Sequence, residues 1–406
     1  MSPSRRSLLG LLSATPLAAG GVLAAADAAS AGPDGSGQVP RGLRPGGELD
    51  RLIAEMADAG MFSGSVLLTH RGRTVLARSH GMADRDASIP NGADTIFLLG
   101  SVTKLFTAVA IAQLAQRGAV SYGATIGTYL DGFPPEIADT VTVHHLLTHT
   151  SGMGDALRDR SYWEAAREWR SEQEVMDGTM RFVRAAGLEY APGAGQFYSN
   201  SGYVTLGAIV AAASGGETYY EYVRRHVFEA AGMTVADFYT TPEWRDDRRI
   251  ARPYAAQESG ERVEAMDGHG FVGTPAGGSF ANCRDLESFA RALRGGDLLD
   301  PAHTELVLGP KVPEAPRPAP SAASSADDAP RYFTYGASAI LAGGSWAVER
   351  GGDAPGVSVG LTVFRPDNDW VLVALGNFDS PLDVSPRTSP SREITDEATR
   401  IITDGR

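Results

Sequence analysis

The sequence predicts an α+β protein: an antiparallel β-sheet flanked by helices, with a mostly helical region inserted between strands from opposite ends of the chain. Three observations carry this. Runs of β-type residues occur at 66–69 and 74–77, then return only at 332–341, 345–349, 357–364 and 370–376. The stretch between them shows helical spacing, from Ser101 to about Gly118 and through most of His144 to Gly232. With 406 residues, 43% hydrophobic and 21% charged, the chain has the composition and length to bury a substantial core.

Taken in order, the first 31 residues place Arg5 and Arg6 before a weakly apolar Leu/Ala/Gly segment that ends in Ala29-Ser30-Ala31. This reads as a twin-arginine export signal, which implies a secreted or extracytoplasmic protein. Pro16 and the many small residues argue against a stable membrane span, and the segment has no cysteine for lipidation. Residues 32–47 are rich in Gly and Pro and are expected to form a disordered linker, with the folded domain running from 48 to 406. Leu49, Leu52, Ile53 and Met56 then mark one face of a helix that stops at Gly60. Arg71-Gly72 is the turn of a hairpin between the first two strands. The helix from Ser101 is apolar nearly all round, as a buried central helix should be, and the helical insertion is placed at about 101–274. Residues 310–331 are a low-complexity Pro/Ala/Ser stretch, expected to be a mobile surface loop. A last helix carries Ile394, Ala398, Ile401 and Ile402 on one face.

A net charge of −13 and the lack of any Lys/Arg block exclude a nucleic-acid-binding surface. The single cysteine, Cys283, permits no internal disulfide and reads as a small core or loop residue. Of the 36 Lys and Arg residues only two are lysines, Lys104 and Lys311. An amine can be tuned toward neutral pH and exchange a proton, which a guanidinium cannot do. Lys104 stands three residues after Ser101 in "LLGSVTKLFTAVA", so the two share a helix face. Ser101 could simply cap that helix, but a capping box places Glu or Gln three residues on, and a cation in the first turn opposes the helix dipole. As chemistry the placement fits, with Ser101 as nucleophile and Lys104 as part of its base.

Four stretches, "DTIFLLGSVTKLFTA", "VTVHHLLTHTSGM", "FYSNSGYVTLGAIV" and "AGGSFANCRDLESFARAL", together resemble the serine β-lactamase-like superfamily, in particular the class C β-lactamases, DD-peptidases and related esterases. The likeness runs over about 49–403. It implies a β-lactamase/transpeptidase-like fold and Tyr198 as third catalytic residue beside Ser101 and Lys104. Asn200 is then a substrate-binding residue able to hydrogen-bond both Lys104 and a substrate carbonyl. An ammonium beside the phenol lowers its pKa, so Lys104 and Tyr198 can act as one coupled proton acceptor.

The third motif of that superfamily, a strand with Lys or His, a small residue and Gly, reads here "VERGGDAPGVSVGLTVF". Arg350 stands at the Lys/His place and Gly352 at the glycine, and the resemblance implies that the N–H groups of Ser101 and Asp353 form an oxyanion hole. Arg350 is at most electrostatic. The alternative is a sheet-surface residue paired with Glu349 or Asp353. Gly351 and Asp353 occupy the places where the superfamily carries hydroxyls for a substrate carboxylate. Weak β-lactam and DD-peptide turnover is therefore expected, and an ester, amide or cationic substrate favoured; carboxylate binding by Arg350 would argue the other way. His145 and His149 lie four apart but lack a Glu and a third ligand, and read as structural histidines rather than a metal site. His269, just upstream of Gly277-Gly278, is a candidate for substrate contact.

Taken together, these residues imply an exported serine hydrolase acting through an acyl-enzyme on a small-molecule or peptide substrate, with no metal and no organic cofactor. A transacylase or peptide cyclase would use the same acylating residues. A cell-wall or penicillin-binding sensor that does not turn over is the alternative of another class. The oligomeric state is left open.

Overall fold

The computed structural model describes residues 39–314, 329–364, 369–380 and 389–404. Its centre is an eight-stranded sheet. The strands are β1 (Gly64–His70), β2 (Arg73–His80), β3 (Val312–Pro313), β4 (Arg331–Phe333), β5 (Ser338–Ala342), β6 (Ser345–Ala354), β7 (Val357–Phe364) and β8 (Trp370–Gly376). They lie in the order β2-β1-β8-β7-β6-β5-β4-β3, each pair antiparallel. β1 pairs with β8 from Gly64 opposite Gly376 to His70 opposite Trp370, so strands from distant parts of the chain pair within the sheet, second and third from one edge. This is the α+β arrangement that the separated β-type runs predict.

Both faces of the sheet are covered, and the period-two alternation of β8 shows how. Val371, Val373 and Leu375 enter the core shared with the inserted helices, while Trp370, Leu372 and Ala374 enter a second core on the opposite face. That second core is completed by α1 (Glu48–Asp58) and by the C-terminal helix, Pro390–Asp404. Ile394, Ala398, Ile401 and Ile402 of that helix are all buried, as their spacing predicts. Burial of an isoleucine side chain contributes roughly 1.5–3 kcal/mol, so this face anchors the terminal helix firmly.

On the other face run α2 (Thr103–Gln116), α3 (Val143–Leu147), α4 (Glu172–Ala185), α5 (Asn200–Ala213) and α6 (Cys283–Gly295). All residues of α2 from Thr103 to Leu114 are buried, which is the central helix expected from its all-round apolar character. Cys283 is buried at the start of α6, where its Sγ lies 3.4 Å from the Ser65 carbonyl.

Four details differ from the sequence reading. The run 332–341 is not one strand: it turns back at 334–337, with Gly336 at φ +92°, to make the β4–β5 hairpin. The strand expected at 345–349 continues to Ala354, carrying Arg350, Gly352 and Asp353 within the sheet. The region placed at 101–274 also contains a hairpin of Tyr254–Ala256 with Arg262–Glu264. The linker expected at 32–47 is built into the fold from Val39 onward, because Leu43 is fully buried in the second core and Arg44 clasps the Val39 carbonyl. Residues 1–38, which hold the export-signal motif, lie outside the described residues. So do residues 315–328 of the low-complexity stretch. The start of that stretch pairs at the sheet edge with the residues just after it, Val312 opposite Phe333 and Pro313 opposite Tyr332, on an edge strand where a proline is tolerated.

Candidate active site

Ser101 does not cap a helix. It sits inside a 3₁₀ turn, Gly100–Val102, that runs directly into α2, and α2 itself has no side-chain cap. Its Oγ is therefore free for other partners. The Tyr198 hydroxyl lies 2.8 Å from it and the Lys104 ammonium 3.2 Å from it. Lys104 is fully buried and donates also to Asn200 Oδ1 at 2.8 Å and to the Ala276 carbonyl at 2.5 Å. Burial is the main force on this amine and draws its pKa down to about 8, against the pull of the Tyr198 phenol and Asp155.

Tyr198 precedes α5 and is clamped from two sides. Burial alone would raise its pKa. The positive charges of Arg350 and Lys104, with the hydrogen bonds they frame, outweigh that and bring it down to about 8. Lys104 Nζ lies 4.8 Å from the centre of the Tyr198 ring, and the Arg350 guanidinium 5.5 Å from it. The pair is electrostatically coupled, and only one proton needs to leave for the assembly to hold a base.

Arg350 is where the structure decides between two readings. It is not a surface residue of the sheet: it is buried, its Nη2 donates to the Tyr198 hydroxyl at 2.7 Å, and its Nε donates to the Ser101 carbonyl at 2.9 Å. Glu349, its expected partner in the alternative reading, instead pairs with Arg331 across the β4–β6 side of the sheet. The neighbouring glycine explains the close approach. A Cβ on Gly352 would lie 2.2 Å from the Leu99 carbonyl oxygen and 2.9 Å from the Ser101 nitrogen, and one on Gly100 (φ +50°) would lie 3.2 Å from the Asp353 nitrogen. Only glycine lets β6 and the 3₁₀ turn press backbone to backbone, which brings the N–H groups of Ser101 and Asp353 to one place.

Two residues of this assembly are not among the site residues that the sequence names; the first, His149, is the structural histidine expected of it. His149 adopts φ +59°, uncommon for a non-glycine residue. Its ring packs 4.5 Å from that of Tyr198, and its Nδ1 accepts the Ser199 N–H at 3.3 Å, so it supports the tyrosine from behind. Burial, with Lys104 and Arg350 nearby, holds its pKa well below the ordinary imidazole value and keeps the ring neutral. His145, by contrast, closes a capping box at the start of α3 with Thr142. The other is Asp155, whose side chain is 1% exposed and whose Oδ2 accepts from Asn200 Nδ2 at 3.0 Å. Neither position carries a spacing signal, since both depend on how the 148–156 loop is bent. Among the described residues, no group of three or more His, Cys, Asp or Glu is placed to hold a metal ion.

Ser101, Tyr198 and Asn200 open onto a cavity of about 320 Å³. Its walls are apolar and aromatic, with Leu157, Tyr162, Trp163, Tyr239, Trp244, Val272 and Phe280, and Asp353 is the one Asp, Glu, Lys or Arg among the described lining residues. His269 does line this cavity. It reaches the Pro355 carbonyl at 3.0 Å and packs edge-on against Trp244, which ties the wall to the β6–β7 turn.

Sheet, buried central helix and the Ser/Lys/Tyr cluster between them place the protein in the β-lactamase/transpeptidase-like fold class. A model of the Beta-lactamase family matches residues 49–394, and the chain belongs to that family. It is 29% identical over 329 residues to a putative penicillin-binding protein, PbpX, of Bacillus subtilis, covering 79% of this chain and 71% of that protein. It is 32% identical over 246 residues to the esterase EstB of Burkholderia gladioli, covering 55% of this chain and 59% of that protein. A penicillin-binding protein from Bacillus halodurans superposes with a TM-score of 0.70 at 27% identity, over 86% of this chain and 98% of the other. The D-amino acid amidase of Ochrobactrum anthropi shares the fold, with a TM-score of 0.68 at 21% identity over 87% of this chain and 97% of that one. The protein is a serine hydrolase of this family.

Proposed function

We propose that this hydrolase works through an acyl-enzyme on Ser101, with an ester, amide or peptide bond as its substrate. The observation that carries the proposal is the triple contact at one oxygen and its base: Tyr198 at 2.8 Å and Lys104 at 3.2 Å from Ser101 Oγ, with Arg350 at 2.7 Å from the tyrosine. Ser101 Oγ attacks the substrate carbonyl carbon as its proton passes to the deprotonated Lys104–Tyr198 pair, and the carbonyl electron pair moves onto oxygen. The N–H groups of Ser101 and Asp353 receive that oxyanion. When the bond to the leaving group breaks, the pair returns the proton to the departing alkoxide or amine. Water then repeats the sequence in reverse: it loses a proton to the pair, attacks the ester of Ser101 and releases the acid. Asn200, held by Lys104, offers its amide edge to the substrate.

The cavity favours substrates with an apolar or aromatic group and no carboxylate beside the scissile bond. Esterase EstB supports an ester as the substrate type, while the D-amino acid amidase is a likeness of fold only. The family's carboxylate-binding hydroxyls are replaced here by Gly351 and Asp353, and Arg350 is already engaged by Tyr198 and Ser101. We assign the export step to Arg5-Arg6 and the following segment, on sequence grounds.

The test is intact-mass measurement after treatment with an alkyl fluorophosphonate or an activated aryl ester. A single adduct is expected on the wild type and none on Ser101→Ala. An adduct that persists in Ser101→Ala, or none on the wild type, overturns the proposal. Adding an amine nucleophile and analysing products separates hydrolysis from acyl transfer.

A further inference from the structure

Asn200 is an amide that must choose which end to present. Its terminal torsion has two near-equivalent settings, and the hydrogen-bond partners decide between them. A carboxylate is an acceptor only, so Asp155 Oδ2, 3.0 Å from Nδ2, fixes the nitrogen end and leaves Oδ1 facing the Lys104 ammonium at 2.8 Å. We infer that Asp155 is a positioning residue for the serine–lysine pair: it sets the Asn200 amide with its oxygen toward Lys104. The inference builds on the reading of Lys104 as part of the proton-transfer group.

A simpler role for Asp155 is to cap the 3₁₀ turn Ala156–Arg158, and it does so, but with the other oxygen: Oδ1 accepts the Leu157 N–H at 3.3 Å. Oδ2 is directed at Asn200 alone, apart from the Arg158 guanidinium 3.5 Å away, which is 63% exposed and screened by water. A carboxylate 1% exposed needs such partners, and spending one oxygen on a side-chain amide one residue short of the phenol–ammonium pair is not required by the turn.

The groups facing Lys104 from each neighbouring element are Ser101 from the 3₁₀ turn, Tyr198, Asn200 and Tyr203 from α5 and its lead-in, Arg350 from β6, and the Ala276 carbonyl. His149 is neutral beside them. Those facing Asp155 are Arg158, Tyr162 and Asn200. Asp155 stands behind Asn200, and its carboxylate acts on Lys104 through space. Its removal therefore destabilises the ammonium, and a freed Asn200 that turns its NH₂ toward Lys104 does so further.

The chain's two lysines make this measurable without any substrate. The full-length protein is labelled at lysine Cε with ¹³C, Lys311→Arg identifies the Lys104 signal, and that signal is titrated by NMR. In Asp155→Asn the midpoint should fall by about half a pH unit or more, since the variant keeps the shape and loses the charge. In Asp155→Glu, which keeps the charge, it should stay within about 0.2 units of the wild type. If Asp155 served only to hold the loop, Asp155→Asn would expose Lys104 and raise its midpoint toward about 10.4. That rise, an unmoved midpoint, or equal shifts in both variants would each overturn the inference. A wild type that forms no Ser101 adduct would defeat the acyl-enzyme reading and leave this titration decisive for Asp155.

Discussion

Arg350 and Tyr198 are joined by a 2.7 Å hydrogen bond from guanidinium to phenol, and the same guanidinium reaches the Ser101 carbonyl at 2.9 Å. A residue that never gives up its proton thus stands at the strand position where the superfamily uses Lys or His. It can donate a hydrogen bond and a fixed charge to a phenolate, and nothing else. All proton traffic then falls on Lys104 and Tyr198.

Removing that charge should raise the pKa of the coupled pair, so the acid limb of kcat/KM for an aryl ester moves to higher pH in Arg350→Ala. At pH 7 the rate should fall about 100-fold or more, within the range lost when general-base catalysis is disabled. Arg350→Lys keeps the charge but not the two-pronged geometry, and should lie between. An Arg350→Ala profile with an unmoved acid limb would show that the guanidinium does not act on Tyr198.

In the wild type the proton that must leave before acylation comes from the buried pair, whose two members are each drawn to about 8. The protonated pair has no base to offer. Activity should therefore rise with pH as one proton is lost, with a midpoint near 8 rather than the range near 6.5 of an imidazole base. A pH–rate profile of aryl ester hydrolysis reads this directly, and a midpoint below 7 counts against the Lys104–Tyr198 pair.

Much of this arrangement was legible in the sequence, and the residues show where legibility ends. Ser101 and Lys104 could be named from their spacing, and Arg350 and Gly352 from the resemblance to the superfamily's third motif, although the β-type run there was expected to end at 349. What Arg350 touches could not, because strand alternation fixes a side and leaves open the partner across about 150 residues of chain, here Tyr198. His149 and Asp155 were invisible as site residues for a different reason. Their roles come from a loop whose backbone, including a positive φ at His149, follows no periodicity. The β4–β5 turn at Gly336 was missed because the apolar and aromatic residues on both sides of it read as a single run.

Gly352→Ala tests the backbone contact that brings β6 against the 3₁₀ turn. The new methyl would meet the Leu99 carbonyl oxygen at 2.2 Å, with backbone on both sides and no flexible side chain to yield. The strand must move away, which separates the Asp353 and Ser101 N–H groups. Overpacking of this kind costs about 1–3 kcal/mol of stability, and loss of an oxyanion donor costs about 10²–10³ in kcat. Thermal unfolding and ester hydrolysis measured together should show both effects. A variant with wild-type kcat would place the oxyanion elsewhere.

The last expectation concerns substrate class. A carboxylate beside the scissile bond, as in a cephalosporin, would find no hydroxyl donor at Gly351 or at Asp353, whose carboxyl burial pushes up in pKa beside Arg392, while the hydrogen bonds of Arg350 at Nε and Nη2 are already committed to Ser101 and Tyr198. The aromatic walls around Trp163, Tyr239 and Trp244 offer such a group nothing, and suit an uncharged ring or chain. The loss of one hydrogen bond to a charged group lowers binding enough that kcat/KM for a neutral aryl ester should exceed that for a cephalosporin by about 10-fold or more. Asp353→Ser, which restores a hydroxyl, should narrow that gap mainly by raising cephalosporin turnover. Comparable rates on the two substrates in the wild type would mean that the site binds carboxylates through Arg350, and the ester preference would fall.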